Sequence, residues 1–306
     1  MRIAVTGATG LIGRTVVERL VGAGVALTCL ARHGVPQTTA GIKWLQGDLN
    51  KEGVAERVVA NQDVIIHLAH DSTPLTATSD LIADVQSGIF PTLRLLCAAM
   101  HADHVPHIIY VSSGGAVYGE AACPDRLSRE TDNCAPVMVY GIQKLMIERY
   151  LHGAARNGAL RATVLRVSNA YGALLDPDRM QGLIGTSVSR IMAGKSLRLI
   201  GNPRNVRDYV HVHDIAAAIL KSFRLASDFE IINIGSGVGH TVLEVLRKIS
   251  QLGGNDSPIE ITEVVGSDLL PSWCVLDVNK ARELLDWEAG ISLDEGISLM
   301  FANDCR

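Results

Sequence analysis

The stretch Met1 to Gly13, MRIAVTGATGLIG, decides the fold. Arg2 to Val5 is a short apolar run of strand type, and Leu11 to Leu20 has the spacing of an amphipathic helix, so Thr6 to Gly10 must reverse the chain between them. Gly7 permits the sharp turn. Gly10 removes the side chain that would hold a diphosphate away from the backbone, and Gly13 lets the helix pack close to its strand. At Leu11 and Ile12 the helix start offers N–H groups without intrahelical partners to an anion. Strand, glycine turn and helix in this order predict a dinucleotide site inside a βαβ unit.

Working outward, 306 residues with 47% hydrophobic content suffice for a full-sized core, and only 4% are aromatic, so that core is aliphatic. A net charge of −4 without any Lys/Arg-rich run argues against nucleic acid or an anionic membrane as partner. No apolar stretch is read as a membrane span, and the chain starts in a strand instead of a signal-peptide core, so a cytoplasmic protein is expected. Cys29, Cys97, Cys123, Cys134, Cys274 and Cys305 form no CxxC pair and read as reduced thiols. His211 and His213 share a strand face without a third ligand nearby, so no metal site is expected.

Val25 to Leu30 is the second strand, and its end is where such a fold inspects the adenosine ribose. An acidic residue there would accept hydrogen bonds from the ribose and repel a 2′-phosphate. This chain has Ala31 and Arg32, which suits the 2′-phosphate of NADP, with a solvated loop charge as the alternative. Lys43 to Gln46 is a third strand running into Gly47-Asp48-Leu49, where an Asp after a strand can cap the next helix. Asp63 to Leu68 is the fourth, ending in HLAH at His67 to His70, with His67 read as a packed histidine. Asp80 to His101 has helical periodicity, and Pro91 should kink or break it.

His107 to Val111 is the fifth strand, leading into Ser112-Ser113-Gly114-Gly115-Ala116-Val117-Tyr118-Gly119. Then comes YGIQK, in which Tyr140 and Lys144 stand i, i+4 on one helix face. A phenol needs a nearby cation to act as a base near neutrality, and Lys144 is the candidate. Arg161 to Val167 is the sixth strand. Helical and strand patterns recur to the end, at Ser196 to Ile200, Ile215 to Phe223, Glu230 to Ile234, Thr241 to Gln251, Ile259 to Val264 and Asn279 to Leu285.

TGxxGxxG together with YGIQK resembles the extended branch of the short-chain dehydrogenase/reductase superfamily. LRVSNAYG at Leu165 to Gly172 resembles its LRxxNxYG, RDYVHVHD at Arg207 to Asp214 its RDYxHVxD, and Asn233 to Gly237 its NIGSG turn. Asp277 to Trp287 resembles its DxxKAxxxLxW tail, so the similarity runs from Thr6 to Trp287. It points to the UDP-hexose 4-epimerase-like group of the NAD-dependent epimerase/dehydratase family.

That resemblance implies Tyr140 and Lys144 as catalytic residues, with Lys144 also on the nicotinamide ribose. It implies Asp48 and Leu49 near the adenine, Leu68 and Ala69 in the segment that the family keeps open for the cofactor to pass, and Asn169 and Arg207 on the substrate diphosphate. Gly114 occupies the place of the family's Ser or Thr, so the hydroxyl that holds the reacting oxygen falls to Ser113 or Ser112. Gly88 replaces a usual Asn, and Val265 stands where relatives carry a second phosphate-gripping Arg. The resemblance also implies a homodimer formed through the Asp80 to His101 helix and the Tyr140 helix.

The expected fold is α/β, a Rossmann-type doubly wound parallel sheet with a smaller interleaved C-terminal substrate lobe. Residues 1–171 form the dinucleotide-binding domain, with 205–235 returning to it, and 172–204 with 236–306 the substrate lobe. The cofactor is NAD(P): Arg32 leans to NADP, the epimerase reading to NAD. The expected activity is 4-epimerisation of a UDP-hexose. Reduction of a 4-keto-sugar nucleotide by NADPH and a non-catalytic dinucleotide sensor are the alternatives.

Overall fold

A computed structural model describes residues 1–35, 41–71, 80–120, 125–255, 258–262 and 271–302. Val265 and Asp268, part of the Ile259 to Val264 run, Cys123 and Cys305 lie outside them. The chain opens with β1 (Arg2–Thr6), α1 (Leu11–Gly22), β2 (Ala26–Ala31), β3 (Ile42–Gln46), α2 (Val54–Val59) and β4 (Val64–His67). Next come α3 (Leu81–Gly88), α4 (Phe90–Met100), β5 (His107–Ser113), α5 (Gly114–Val117), α6 (Val139–Arg156) and β6 (Arg161–Val167). There follow β7 (Asn169–Tyr171), α7 (Leu183–Met192), β8 (Arg198–Ile200), β9 (Val206–His211), α8 (Val212–Ser222) and β10 (Phe229–Ile234). The last elements are β11 (Gly239–Thr241), α9 (Val242–Leu252), β12 (Glu260–Thr262), β13 (Trp273–Cys274), α10 (Asn279–Leu285) and α11 (Leu293–Ala302).

Two compact units share the chain. The first comprises Met1–Ser113, Met138–Arg166 and Ala216–Ile232. Its seven-stranded sheet runs β10-β6-β5-β4-β1-β2-β3, with β1 paired in parallel to both β2 and β4. This is the Rossmann order, in which the direction of winding reverses at β1, so the turn after β1 lies at the switch point where such sheets bind ligands. Near-continuous apolar strands such as Val64 to Ile66 and Ile108 to Ile109 are buried, as a sheet covered on both faces requires. Leu49, Ile65, Leu95, Ile147, Leu151 and Val164 belong to one aliphatic core cluster.

The run Leu81–Met100 is long and apolar enough to cross a membrane by length and composition, which corrects the sequence reading. It is not one straight helix. Ile89 ends α3 and Pro91 sits in the first turn of α4, where its missing N–H costs nothing. Leu95, Leu96 and Ala99 of α4 are buried against the core, and Asp84 is buried on α3. A Cβ at Gly88 would lie 2.3 Å from Gln143 Oε1, so a larger residue there would displace the Gln143 side chain, whose Nε2 donates to Asp84 O at 3.0 Å.

The second unit comprises Gly114–Val137, Val167–Ile215 and Asn233–Arg306. Its small sheet centres on β9, which pairs in parallel with β7 and β13 and antiparallel with β11. A second cluster, including Ile184, Val188, Val245, Ile249 and Ile297, forms its core. A capping box at Thr241 and Glu244 starts α9.

Candidate active site

The turn after β1 is built as the glycine spacing requires. Gly7 has φ +70°, and a Cβ on it would lie 2.7 Å from Ala69 N. A Cβ on Gly13 would lie 2.1 Å from Gly7 O, so helix and turn are in direct backbone contact. Gly10 differs. It is exposed, and a Cβ there would meet only Gly7 O, at 3.2 Å, so its missing side chain leaves an open cradle instead of satisfying a packing contact. Gly10 caps α1 without a side-chain hydrogen bond and no acidic residue lies in the first turn, so the N-terminal N–H groups of Leu11 and Ile12 stand bare at the positive end of the helix. A diphosphate fits that cradle.

The adjoining strand end is pinned to β1. Leu68 N donates to Thr6 O at 3.2 Å and Ala69 N to Thr6 Oγ1 at 3.3 Å. His67 lies buried between Thr6 Oγ1 at 2.7 Å and Thr92 Oγ1 at 2.8 Å, and burial pushes its imidazole down to about 3, so it is a neutral packed histidine. Asp48 is not a helix cap. Its Oδ1 accepts from Asn50 N at 2.8 Å, whereas Gly53 precedes α2. The Leu49 side chain is buried in the core. Arg32 is not a solitary loop charge either: its Nη1 donates to Asp71 Oδ2 at 2.5 Å.

At the end of β5 the two serines separate by strand alternation. Ser112 Oγ donates to buried Glu148 at 2.5 Å, while the Ser113 side chain hydrogen-bonds Tyr140. The structure thus brings Ser113, Tyr140 and Lys144 together. Lys144 is buried, and its Nζ donates to Val111 O at 3.0 Å while lying 4.9 Å from the Tyr110 ring centre and 5.6 Å from that of Tyr140. The His70 ring meets Tyr140 edge-on at 5.4 Å.

The charges of this cluster differ from the sequence expectation. Burial pushes the Tyr140 phenol up to about 12, and the interaction that draws it back is Ser113's hydrogen bond, not Lys144. The reason is geometric. Lys144 Nζ faces the ring planes and a carbonyl, and burial draws its own ammonium down to about 7, partly offset by Glu148. Glu148 is held by Arg166, Nη2 to Oε2 at 2.6 Å, with both side chains buried. Sequence reading missed Glu148, Tyr110 and Asp71. Only Glu148 had a signal, its i+4 spacing from Lys144.

In the second unit, Asn169 Nδ2 donates to Asp208 O at 2.9 Å, and Arg207 Nη1 donates to Val206 O at 2.8 Å. A structural Arg207–Asp208 pair is not formed. Asp208 is fully buried and instead accepts from Ser236 N at 2.8 Å, Ser236 Oγ at 2.7 Å and Gly237 N at 3.2 Å. Arg207 is left partly buried near Glu120, Cys274 and Tyr209. His211 and His213 stack at 5.1 Å, and among the described residues no group of three or more His, Cys, Asp or Glu is placed to hold a metal.

Comparison with known proteins agrees with this architecture. The family model described as "NAD dependent epimerase/dehydratase family" matches residues 3–235. An Escherichia coli dTDP-4-dehydro-6-deoxyglucose reductase is 25% identical, the match covering 96% of this chain and 95% of that protein. The structure of Thermotoga maritima UDP-glucose 4-epimerase with UDP-glucose is 28% identical, with a TM-score of 0.90 over 100% of both chains. That of the Thermus thermophilus UDP-glucose 4-epimerase with NAD is 27% identical, with a TM-score of 0.87 over 99% of this chain and 98% of that one.

Proposed function

The chain belongs to the NAD dependent epimerase/dehydratase family and is an enzyme, and from that premise we infer that it interconverts the C4 epimers of a UDP-hexose. The observation that carries this reading is the cluster of Ser113, Tyr140 and Lys144 at the end of β5. Gly7, Gly10, Leu11, Ile12 and Gly13 would hold the diphosphate of NAD. Asp48, Leu68, Ala69 and, through its backbone alone, Leu49 would border the cofactor, and Lys144 would hold its nicotinamide ribose. Bound there, the cofactor would supply the reversible hydride acceptor that C4 needs.

Tyr140 takes the proton of the sugar 4-hydroxyl and gives it back, and Ser113 holds both the phenol and the reacting oxygen. Lys144 places positive charge beneath the phenol ring. Asn169 and Arg207 hold the substrate diphosphate, the planar guanidinium matching phosphate oxygens. Gly115 and Ala116 leave no acidic pair beside Ser113, which disfavours a dehydratase by the family resemblance. The chain acts as a homodimer. Ile142, Met146 and Tyr150 make an exposed i, i+4 stripe on α6, and Leu81, Ile82 and Phe90 are exposed on α3 and α4.

The test is to denature the purified protein, identify the nucleotide released, and assay Tyr140→Phe with UDP-hexoses. Near-stoichiometric NAD⁺ and a fall of about 10²–10⁴-fold in turnover are expected. Loss of cofactor on purification, with NADPH binding tighter than NADH, would move the reading to a 4-keto-sugar reductase, which the similarity to the Escherichia coli reductase supports as second choice. A variant indistinguishable from the parent would leave a dinucleotide sensor.

A further inference from the structure

The choice between NAD and NADP is electrostatic. A carboxylate beside the adenosine ribose accepts its hydroxyls and repels a 2′-phosphate, whereas an arginine attracts the phosphate. The end of β2 supplies only Ala31 and Arg32. A carboxylate reaches the same place from another strand. Thr6 of β1 pairs with Leu30 on one side and His67 on the other, so the segments leaving β2 and β4 emerge on either side of the glycine turn. Across that gap Arg32 Nη1 meets Asp71 Oδ2 at 2.5 Å, with the two side chains 51% and 36% exposed. Next to Arg32 in the chain, His33 lines a cavity of about 550 Å³ together with Ala8 and Thr9 of the glycine turn, Arg14 and Trp44, so open space adjoins the turn on the β2 side.

We propose that Asp71 sets this chain's preference for NAD over NADP, taking over the part that an acidic residue at the end of β2 would otherwise play. The proposal rests on the dinucleotide reading of the turn after β1. An exposed ion pair is weak by itself, so Arg32 is free in energy to exchange partners. What matters is the sign of the second charge. A 2′-phosphate seated on Arg32 comes to lie beside a carboxylate, and like charges at close range oppose binding in a partly desolvated site. The hydroxyls of NAD meet no such penalty and can donate to Asp71.

Calorimetric titration with NADH and with NADPH, after any resident nucleotide has been stripped and its removal checked by absorbance, tests this on the full chain and on Asp71→Asn, Arg32→Gln and the double variant. All four keep the half-exposed surface position and should retain the parent's circular dichroism. The parent is expected to bind NADH more tightly. Asp71→Asn should move the ratio of the two dissociation constants toward NADPH by about tenfold or more, mostly through tighter NADPH. Adding Arg32→Gln should erase that gain. If both nucleotides bind and the ratio stays within about twofold in Asp71→Asn, or shifts equally with and without Arg32, the proposal is overturned. Failure of the parent to bind either nucleotide would overturn the dinucleotide reading itself.

Discussion

Lys144 is an ammonium stored where an ammonium is disfavoured. Burial holds it at about 7 instead of the usual 10.5, so between those values the unfolded chain binds a proton that the folded chain refuses. Stability therefore rises with pH across that window, and the penalty is complete below about pH 7. Lys144→Met should flatten this slope, as read by urea unfolding of parent and variant at both ends of the window. Ser113 works in the opposite sense on Tyr140, favouring the ionised phenol against its burial. Ser113→Ala should lower turnover by about 10–10²-fold and move the alkaline-going limb of the pH–rate profile upward, with dinucleotide affinity unchanged. The i, i+4 pair was legible in YGIQK because helical spacing fixes which side chains share a face. Which way the phenol shifts was not, because that depends on the burial of both groups and on where Nζ points.

At the scale of elements, the three glycines of the first turn separate into two kinds. Gly13→Ala drives a methyl group into Gly7 O and Ala8 backbone, atoms that cannot swing aside, and should cost about 2–3 kcal/mol or more in chemical denaturation. Gly10→Ala needs a shift of only a few tenths of an ångström, so it should unfold like the parent while binding dinucleotide more weakly. The α6 stripe makes its own prediction: Met146→Glu with Tyr150→Glu should convert a dimer into a monomer in sedimentation without loss of secondary structure. The long strands and helices were readable because runs such as Ile108 to Val111 and the α1 pattern carry their own periodicity. The two- and three-residue strands β7, β11 and β13 were not, since they are defined only by pairing with β9. Asp71 was invisible for a related reason, being 39 residues from Arg32 in sequence and adjacent only through the order of three strands.

For the molecule as a whole, buried neutral histidines set the acid limit. His67 is held at about 3 and His107 at about 4, both by burial first. The unfolded chain gains these protons near 6.5, so stability should fall steadily as pH drops from about 6.5 toward 4, and a thermal unfolding series over that range checks it. The chain crosses from one unit to the other at Ser113, Val137, Arg166, Ile215 and Ile232, which also governs how it is made. During synthesis the seven-stranded sheet stays incomplete until β10 emerges. A nascent or truncated chain ending before Phe229 exposes the edge of β6, Arg161–Val167, whose residues after the first are all buried in the finished protein. Such an edge recruits other strands, so fragments stopped in this window are the species a chaperone must hold and the ones that seed inclusion bodies.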